Sequence, residues 1–368
     1  MPKALIHLVA GARPNFVKIA PLWHALQKAD WCSVRIVHTG QHADINMSDW
    51  FFRDLGLPAP DHHLNAQTGS HAKVTGSTMI AYEDLCRRET PDWSIVVGDV
   101  NSTIACAMAA KKLGIRVAHL EAGLRSFDRT MPEELNRILT DAVADLLWTS
   151  SPEAEDNLKR EGTPHHHIDF VGNIMIDSLE MLRDSFDREA GAGALGLKAG
   201  QYGIVTLHRP ANVDDPAALK IAVTALAQVA MQVPLVFPVH PRTRQALDAS
   251  GLAAALERSD MQLLQPQGYT AFMSLVKTAR LVVTDSGGLQ EETSHLGIPC
   301  LTVRPNTERP ITVSSGTNRL VDFPDLPAAV AAILAAPPPP PASIPLWDGQ
   351  TARRCVASLC RHLNIASR

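Results

Sequence analysis

The chain has 368 residues, 45% hydrophobic and 20% charged, enough for two domains with ordinary globular cores. A formal net charge of −4 argues against a nucleic-acid binder, whose affinity rests on neutralising phosphates. Six cysteines without a CxxC pair, Cys355 and Cys360 being nearest, read as reduced buried thiols and not as a zinc or disulfide framework.

Apolar β-prone runs alternate with helical patterns along the chain. Ala4 to Val9 reads as a buried strand, and Phe16 to Gln27 as the helix after it. No charged leader precedes that strand, and no apolar run nears the roughly 20 residues of a membrane span, so the expected compartment is the cytoplasm. Val34 to His38 and Ser94 to Val97 are further strands. Asn101 reads as the N-cap of a helix from Ser102 to Leu113, with Gly114 past its end. Ile115 to His119 is a strand, Pro132 to Ala144 a helix with proline at its first turn, and Leu146 to Thr149 a strand. Asp177 to Gly200 changes character, charged at first and then rich in Gly and Ala. A second series follows, with strands at Gly203–Leu207, Leu235–Val239, Met261–Leu264, Leu281–Thr284 and Cys300–Val303. This rhythm predicts an α/β fold of two Rossmann-like, doubly wound parallel sheets. The expected domains are 1–172 and 173–350. Pro337 to Pro341 is an extended connector, and an amphipathic helix within 351–368 is expected to dock back on the first domain.

Open sheets of this kind bind ligands beyond the carboxyl ends of their strands. Polar clusters lie there. Gly11-Ala12-Arg13-Pro14 leads into a helix carrying Lys18, and Asp285-Ser286-Gly287-Gly288 links a strand to a helix. Approachable backbone, helix-start N–H groups and cationic or hydroxyl donors suit a phosphate, although each segment alone is equally a tight turn. No GxGxxG is present, which disfavours a dinucleotide. Glu133 and Arg137, four apart, share a helix face and in isolation read as a solvated ion pair. Asp99 and Glu121, at neighbouring strand ends, turn Glu133 into the third member of an acid cluster. Grouped carboxylates suit proton transfer. His208 ends the first strand of the second domain and is a candidate acid or electrostatic partner. His165-His166-His167 reads as a solvated turn and not as a metal site.

Taken in order, the motifs form a pattern. They are Gly11-Ala12-Arg13-Pro14 with Lys18, His38-Thr39-Gly40-Gln41-His42, Gly98-Asp99, Glu121-Ala122-Gly123-Leu124-Arg125, Pro132-Glu133-Glu134-Leu135-Asn136-Arg137, Thr284 to Glu292, and Thr307-Glu308-Arg309-Pro310. From Ala4 to about Val321 the chain closely resembles the non-hydrolysing UDP-N-acetylglucosamine 2-epimerases. The resemblance implies a GT-B fold with the active site in the cleft between its two domains. It implies reversible epimerisation at C2 of a UDP-linked 2-acetamido sugar, UDP-GlcNAc to UDP-ManNAc. The route is elimination of UDP to a 2-acetamidoglucal and re-addition, without metal or cofactor, and it feeds cell-surface polysaccharide synthesis.

By the same resemblance Asp99, Glu121 and Glu133 carry the proton transfers, and His208 assists at the diphosphate. Arg13, Lys18, Arg137, His240, Ser286, Gly287, Gly288 and Arg309 bind the UDP-sugar, and Glu292 binds the ribose. The family also implies a homodimer. Some members carry an activating UDP-GlcNAc site, to which Gln41 and His42 would belong; the altered stretch Arg209 to Asp214 after His208 counts against it. Ser126 to Met131 resembles a branch that includes epimerases of UDP-2,3-diacetamido-glucuronic acid, which is the alternative substrate. A GT-B glycosyltransferase is the alternative reaction and a catalytically dead sugar-nucleotide sensor the alternative class. The acid trio argues for proton abstraction over the first, and the intact acids with His208 argue against the second.

Overall fold

The computed structural model describes residues 3–40, 52, 54–257 and 259–363, and of Arg13 the backbone. Gln41 and His42 lie outside the described residues. The chain divides into two compact units, Met1–Met181 with Pro345–Arg368, and Leu182–Ile344.

The first unit runs β1 (Ala4–Ala10), α1 (Arg13–Gln27), β2 (Cys32–His38), β3 (His62–His63), α2 (His71–Arg88), β4 (Trp93–Val97), α3 (Asn101–Lys112), β5 (Arg116–Ala122), α4 (Pro132–Val143), β6 (Leu146–Thr149), α5 (Pro152–Arg160), β7 (Ile168–Phe170) and the first half of α6 (Ile174–Arg188), which the division between the units crosses after Met181. Its parallel sheet has the order β3-β2-β1-β4-β5-β6-β7. Winding reverses between β1 and β4, and the loops after these two strands diverge there and leave a crevice. Every residue of β4 is buried, as a continuous apolar run covered on both faces requires.

Three details depart from the sequence reading. α1 begins at Arg13, because the Asn15 side chain accepts from the amides of Gly11 (3.2 Å) and Ala12 (2.9 Å) and closes the turn into the helix. Asn101 is the first helical residue and not the cap, which falls on Val100; its side chain instead accepts from Asn136 Nδ2 at 3.3 Å. β5 continues to Ala122 through a bulge, where expectation ended it at His119. The short strands β3 and β7 carry too few apolar residues to show in a periodicity search.

The second unit contains β8 (Gly203–Thr206), α7 (Pro210–Val213), α8 (Pro216–Ala230), β9 (Leu235–Pro238), α9 (Pro241–Ser250), α10 (Ala253–Glu257), β10 (Met261–Leu264), α11 (Tyr269–Val276), β11 (Leu281–Thr284), α12 (Gly287–Leu296), β12 (Cys300–Thr302), α13 (Ile311–Ser314), β13 (Asn318–Leu320) and α14 (Leu326–Ala335). Its parallel order is β10-β9-β8-β11-β12-β13, reversing between β8 and β11. Val205, Leu226, Val229, Phe237, Leu281 and Val283 fill the core on one face. Pro337 to Pro341 form no regular element, and the chain is tied down again where Ala342 N donates to the Ser294 carbonyl at 2.9 Å.

The last helix, α15 (Thr351–His362), belongs to the first unit. Asp177 of α6 caps it from outside, accepting from Thr351 N (3.0 Å) and Ala352 N (2.8 Å). Trp148 Nε1 of β6 donates to Ser358 Oγ at 2.9 Å. The six cysteines are free and buried, and burial pushes the Cys32, Cys86 and Cys300 thiols up to about 11. Among the described residues no helix is long and apolar enough to cross a membrane.

Candidate active site

In the first unit the residues after β1, β4 and β5 converge. Lys18, buried one turn into α1, forms an ion pair with the Glu121 carboxylate. Asn15, which closes the turn before α1, also donates from Nδ2 to the Val97 carbonyl at 3.2 Å and joins α1 to the end of β4. Glu121 sits at φ 70°, a left-handed conformation that costs a non-glycine residue about 1–2 kcal/mol. The bulge in β5 re-aims its side chain away from simple strand alternation. Its Oε1 is buried and accepts no hydrogen bond among the described residues. Strain and a buried carboxylate oxygen without a hydrogen bond among the described residues make Glu121 a candidate working position.

Asp99 follows β4. Its carboxylate takes the Arg137 guanidinium at 2.5 Å, and its carbonyl accepts from Asn136 Nδ2 at 2.9 Å. Arg137 was expected to bind substrate and to share a face with Glu133. It is 2% exposed and is clasped by carboxylates, Asp99 on one side and Glu134 at 2.7 Å on the other. Glu134 in turn accepts from Ser126 N (2.9 Å), Ser126 Oγ (3.0 Å) and Phe127 N (2.9 Å), pinning the loop before α4. The buried stripe of α4 is therefore Glu134, Arg137, Thr140 and Asp141, while Leu135 and Leu139 face outward. Glu133 lies beside this stripe, half-buried.

In the second unit the ends of β8 and β11 meet. Asp285 is fully buried and holds the loop after β8: it accepts from His208 N (3.0 Å), Arg209 N (2.9 Å) and Asn212 Nδ2 (3.1 Å). It also faces His208 Nδ1 at 2.9 Å. Burial raises the Asp285 carboxyl, but His208 and these donors outweigh it and hold it below the usual carboxylate range. With Nδ1 committed, Nε2 is the nitrogen left for chemistry. The unusual stretch after His208 thus keeps its hold through Asn212, and Asp214 pairs with Arg242. The His240 ring lies 5.7 Å from that of His208, and its Nδ1 accepts from Arg242 N at 3.2 Å as the cap of α9.

Ser286 caps α12, with Gly287 and Gly288 opening the helix. A Cβ on Gly287 would meet the Arg309 guanidinium and the Glu308 carboxylate, so any larger residue there would have to displace that ion pair. Arg309, expected to contact the ligand, is buried and bound to Glu308 (2.5 Å) and Glu291 (3.0 Å). It buttresses the helix start from beneath. Glu292 accepts from Tyr269 Oη at 2.6 Å, and burial pushes that phenol well above its ordinary value.

Sequence reasoning missed Asn15, His119 and Asp141, and quoted Glu134 and Asp285 only within motifs. The signal for two of them was present. Glu134, Arg137 and Asp141 recur at helical spacing, while Leu135 and Leu139 occupy the opposite side.

Comparison with known proteins adds an independent line. A family model described as UDP-N-acetylglucosamine 2-epimerase matches residues 24–360. The chain is 43% identical, over 85% of its length and 87% of the relative's, to the UDP-2,3-diacetamido-2,3-dideoxy-D-glucuronate 2-epimerase of Pseudomonas aeruginosa. It is 40% identical, over 86% of its length and 88% of the relative's, to a UDP-N-acetylglucosamine 2-epimerase of Methanocaldococcus jannaschii. The crystal structure of M. jannaschii UDP-GlcNAc 2-epimerase in complex with UDP-GlcNAc and UDP superposes with a TM-score of 0.90 at 37% identity, covering 97% of this chain and 99% of that one.

Proposed function

Because the chain belongs to the UDP-N-acetylglucosamine 2-epimerase family and has its GT-B fold, we propose that it inverts C2 of a UDP-linked 2-acetamido sugar, with UDP-GlcNAc and UDP-ManNAc as the pair. The observation that carries the reading is Glu121: strained, buried and with one oxygen that accepts no hydrogen bond among the described residues, at the sheet end that also carries Asp99. A base takes the C2 proton while the C1–O bond breaks and its electron pair leaves with UDP. The remaining sugar is a 2-acetamidoglucal with a C1=C2 double bond. A proton delivered to the other face of C2, and return of the UDP oxygen to C1, complete the inversion.

The residues divide the labour by chemistry. Asp99, Glu121 and Glu133 act as acids and bases. Lys18 sets the charge around Glu121. His208, Ser286, the Gly287 and Gly288 amides, Arg13 and His240 meet the negative charge that develops on the departing diphosphate. Glu292 takes the ribose hydroxyls. Arg137 and Arg309 enter as the guanidiniums that fix Asp99 and the start of α12. The reading also includes a homodimeric, cytoplasmic enzyme; sedimentation of the purified chain as a monomer at micromolar concentration would remove the first of these.

Incubation in D2O with UDP-GlcNAc, followed by NMR, tests the reaction. Deuterium at C2 and appearance of UDP-ManNAc are expected. Neither signal would sink the reading for this sugar. The 43% identical relative favours running the same assay with UDP-2,3-diacetamido-glucuronate. Exchange with that substrate alone selects it.

A further inference from the structure

Beneath the acid-bearing turns of the first unit lies a group that the reaction itself does not use. His119, fully buried in β5, has Nδ1 2.6 Å from Asp141 Oδ1 and Nε2 2.8 Å from the Gly98 carbonyl oxygen. The other oxygen of Asp141 accepts from Gly123 N at 3.0 Å and meets Arg125 NH1 at 2.7 Å. Arg125 continues to Glu161, with bonds of 2.6 and 2.8 Å.

These contacts reach two backbone turns. Gly98 immediately precedes Asp99. Gly123 follows Glu121 by two residues, holds φ 78°, and lies so close to the Ala154 carbonyl that no Cβ would fit. The geometry points to His119 and Asp141 as one positioning unit that fixes the Asp99 turn and the Glu121 turn relative to each other. The inference rests on the epimerase reading of those two acids.

The hydrogen-bond roles of the ring follow from donor chemistry. A carbonyl oxygen only accepts, so Nε2 carries hydrogen. Burial raises the Asp141 carboxyl, but His119 and Arg125 outweigh it and hold it below the usual carboxylate range. The ring is wedged between two acceptors, so the inference places an N–H on each nitrogen. Arg125 pairs with both Asp141 and Glu161. Well-packed apolar side chains often hold a core as firmly as a buried charged network. What apolar packing lacks is direction, and a reacting group misplaced by about 1 Å loses on the order of 100-fold in rate.

Two variants and one spectrum test the unit. Asp141→Asn keeps the shape but turns His119 into a neutral Nε2–H ring, and His119→Gln removes the bridge. Both are expected to lower kcat for C2 epimerisation by on the order of 10- to 100-fold, with KM for the UDP-sugar and the Kd of UDP within about twofold. In the wild-type chain, ¹⁵N-histidine NMR should show one ring with two N–H groups, absent in His119→Gln and reduced to one N–H in Asp141→Asn. Wild-type kcat in both variants would overturn the inference, as would a neutral His119 ring in the wild type. Parallel loss of kcat, UDP binding and Tm would overturn it too, by assigning the pair to general stability. A wild-type chain silent towards both sugar nucleotides would overturn the epimerase reading along with it.

Discussion

Glu121 spends stability on its left-handed backbone and on an unsatisfied oxygen, and neither is needed to fold a strand. Asp99 is held differently, by a guanidinium and through its own carbonyl. Asp99→Asn should therefore abolish C2 deuterium exchange while leaving UDP affinity within about twofold by calorimetry; near-normal exchange would remove Asp99 from the chemistry. Asp285→Asn should lower kcat by about 10-fold or more, since His208 loses the carboxylate that sets its tautomer. An unchanged kcat would show that the loop alone orients the ring. A third residue titrates away from the site. Burial pushes His7 down to about 4, against the pull of Glu89; Tyr82, His62 and Arg35 also surround it. Between that value and the ordinary 6.5 the unfolded chain binds the extra proton, so stability falls as pH drops through this window. His7→Asn should flatten the fall in Tm between pH 7 and 4.5, and parallel curves would exclude His7 as its source.

At the scale of elements, α4 is the informative case. A helix on a sheet normally buries its apolar stripe. α4 buries Glu134, Arg137 and Asp141, and leaves Leu135 and Leu139 40% and 53% exposed. Burying charge is costly unless every charge is paired, and here each one is: Arg137 with Asp99 and Glu134, Asp141 with His119 and Arg125. Glu134→Ala leaves Arg137 short of a partner and frees the loop at Ser126 and Phe127. A loss of about 3 kcal/mol in unfolding free energy is expected from denaturant titration, together with reduced kcat. A change below about 0.5 kcal/mol would mean that solvent reaches Arg137. The sequence placed α4 within a residue of its ends, yet assigned its working face from the Glu133/Arg137 spacing. Spacing says which residues share a face; it does not say which face is inward when the inward face is polar.

At the scale of the whole molecule, α15 returns from beyond the second unit to complete the first. Asp177 caps it, and Trp148 and Trp347 are fixed by bonds to Ser358 and to the Ser150 carbonyl. Truncation before Pro345 should uncover these partners and lower the unfolding temperature of the first unit, with the second unit's transition unchanged in calorimetry. A full-length transition surviving in the truncated chain would make α15 dispensable.

The strands, their order of chemistry and the acid-bearing turns were legible because each is local. An apolar run between turn residues makes a strand, and a polar cluster at its carboxyl end makes a candidate site. The family match ordered those clusters into one reaction. What only the tertiary structure decided is which partner each charge takes. Arg137 belongs to Asp99 and Glu134, Arg309 to Glu308 and Glu291, and His119 to Asp141, across 38, 3, 1, 18 and 22 positions of chain. Ion pairs and hydrogen bonds form between atoms within about 3 Å of each other. Such proximity is created by packing sheet ends against helices, and no local pattern carries it.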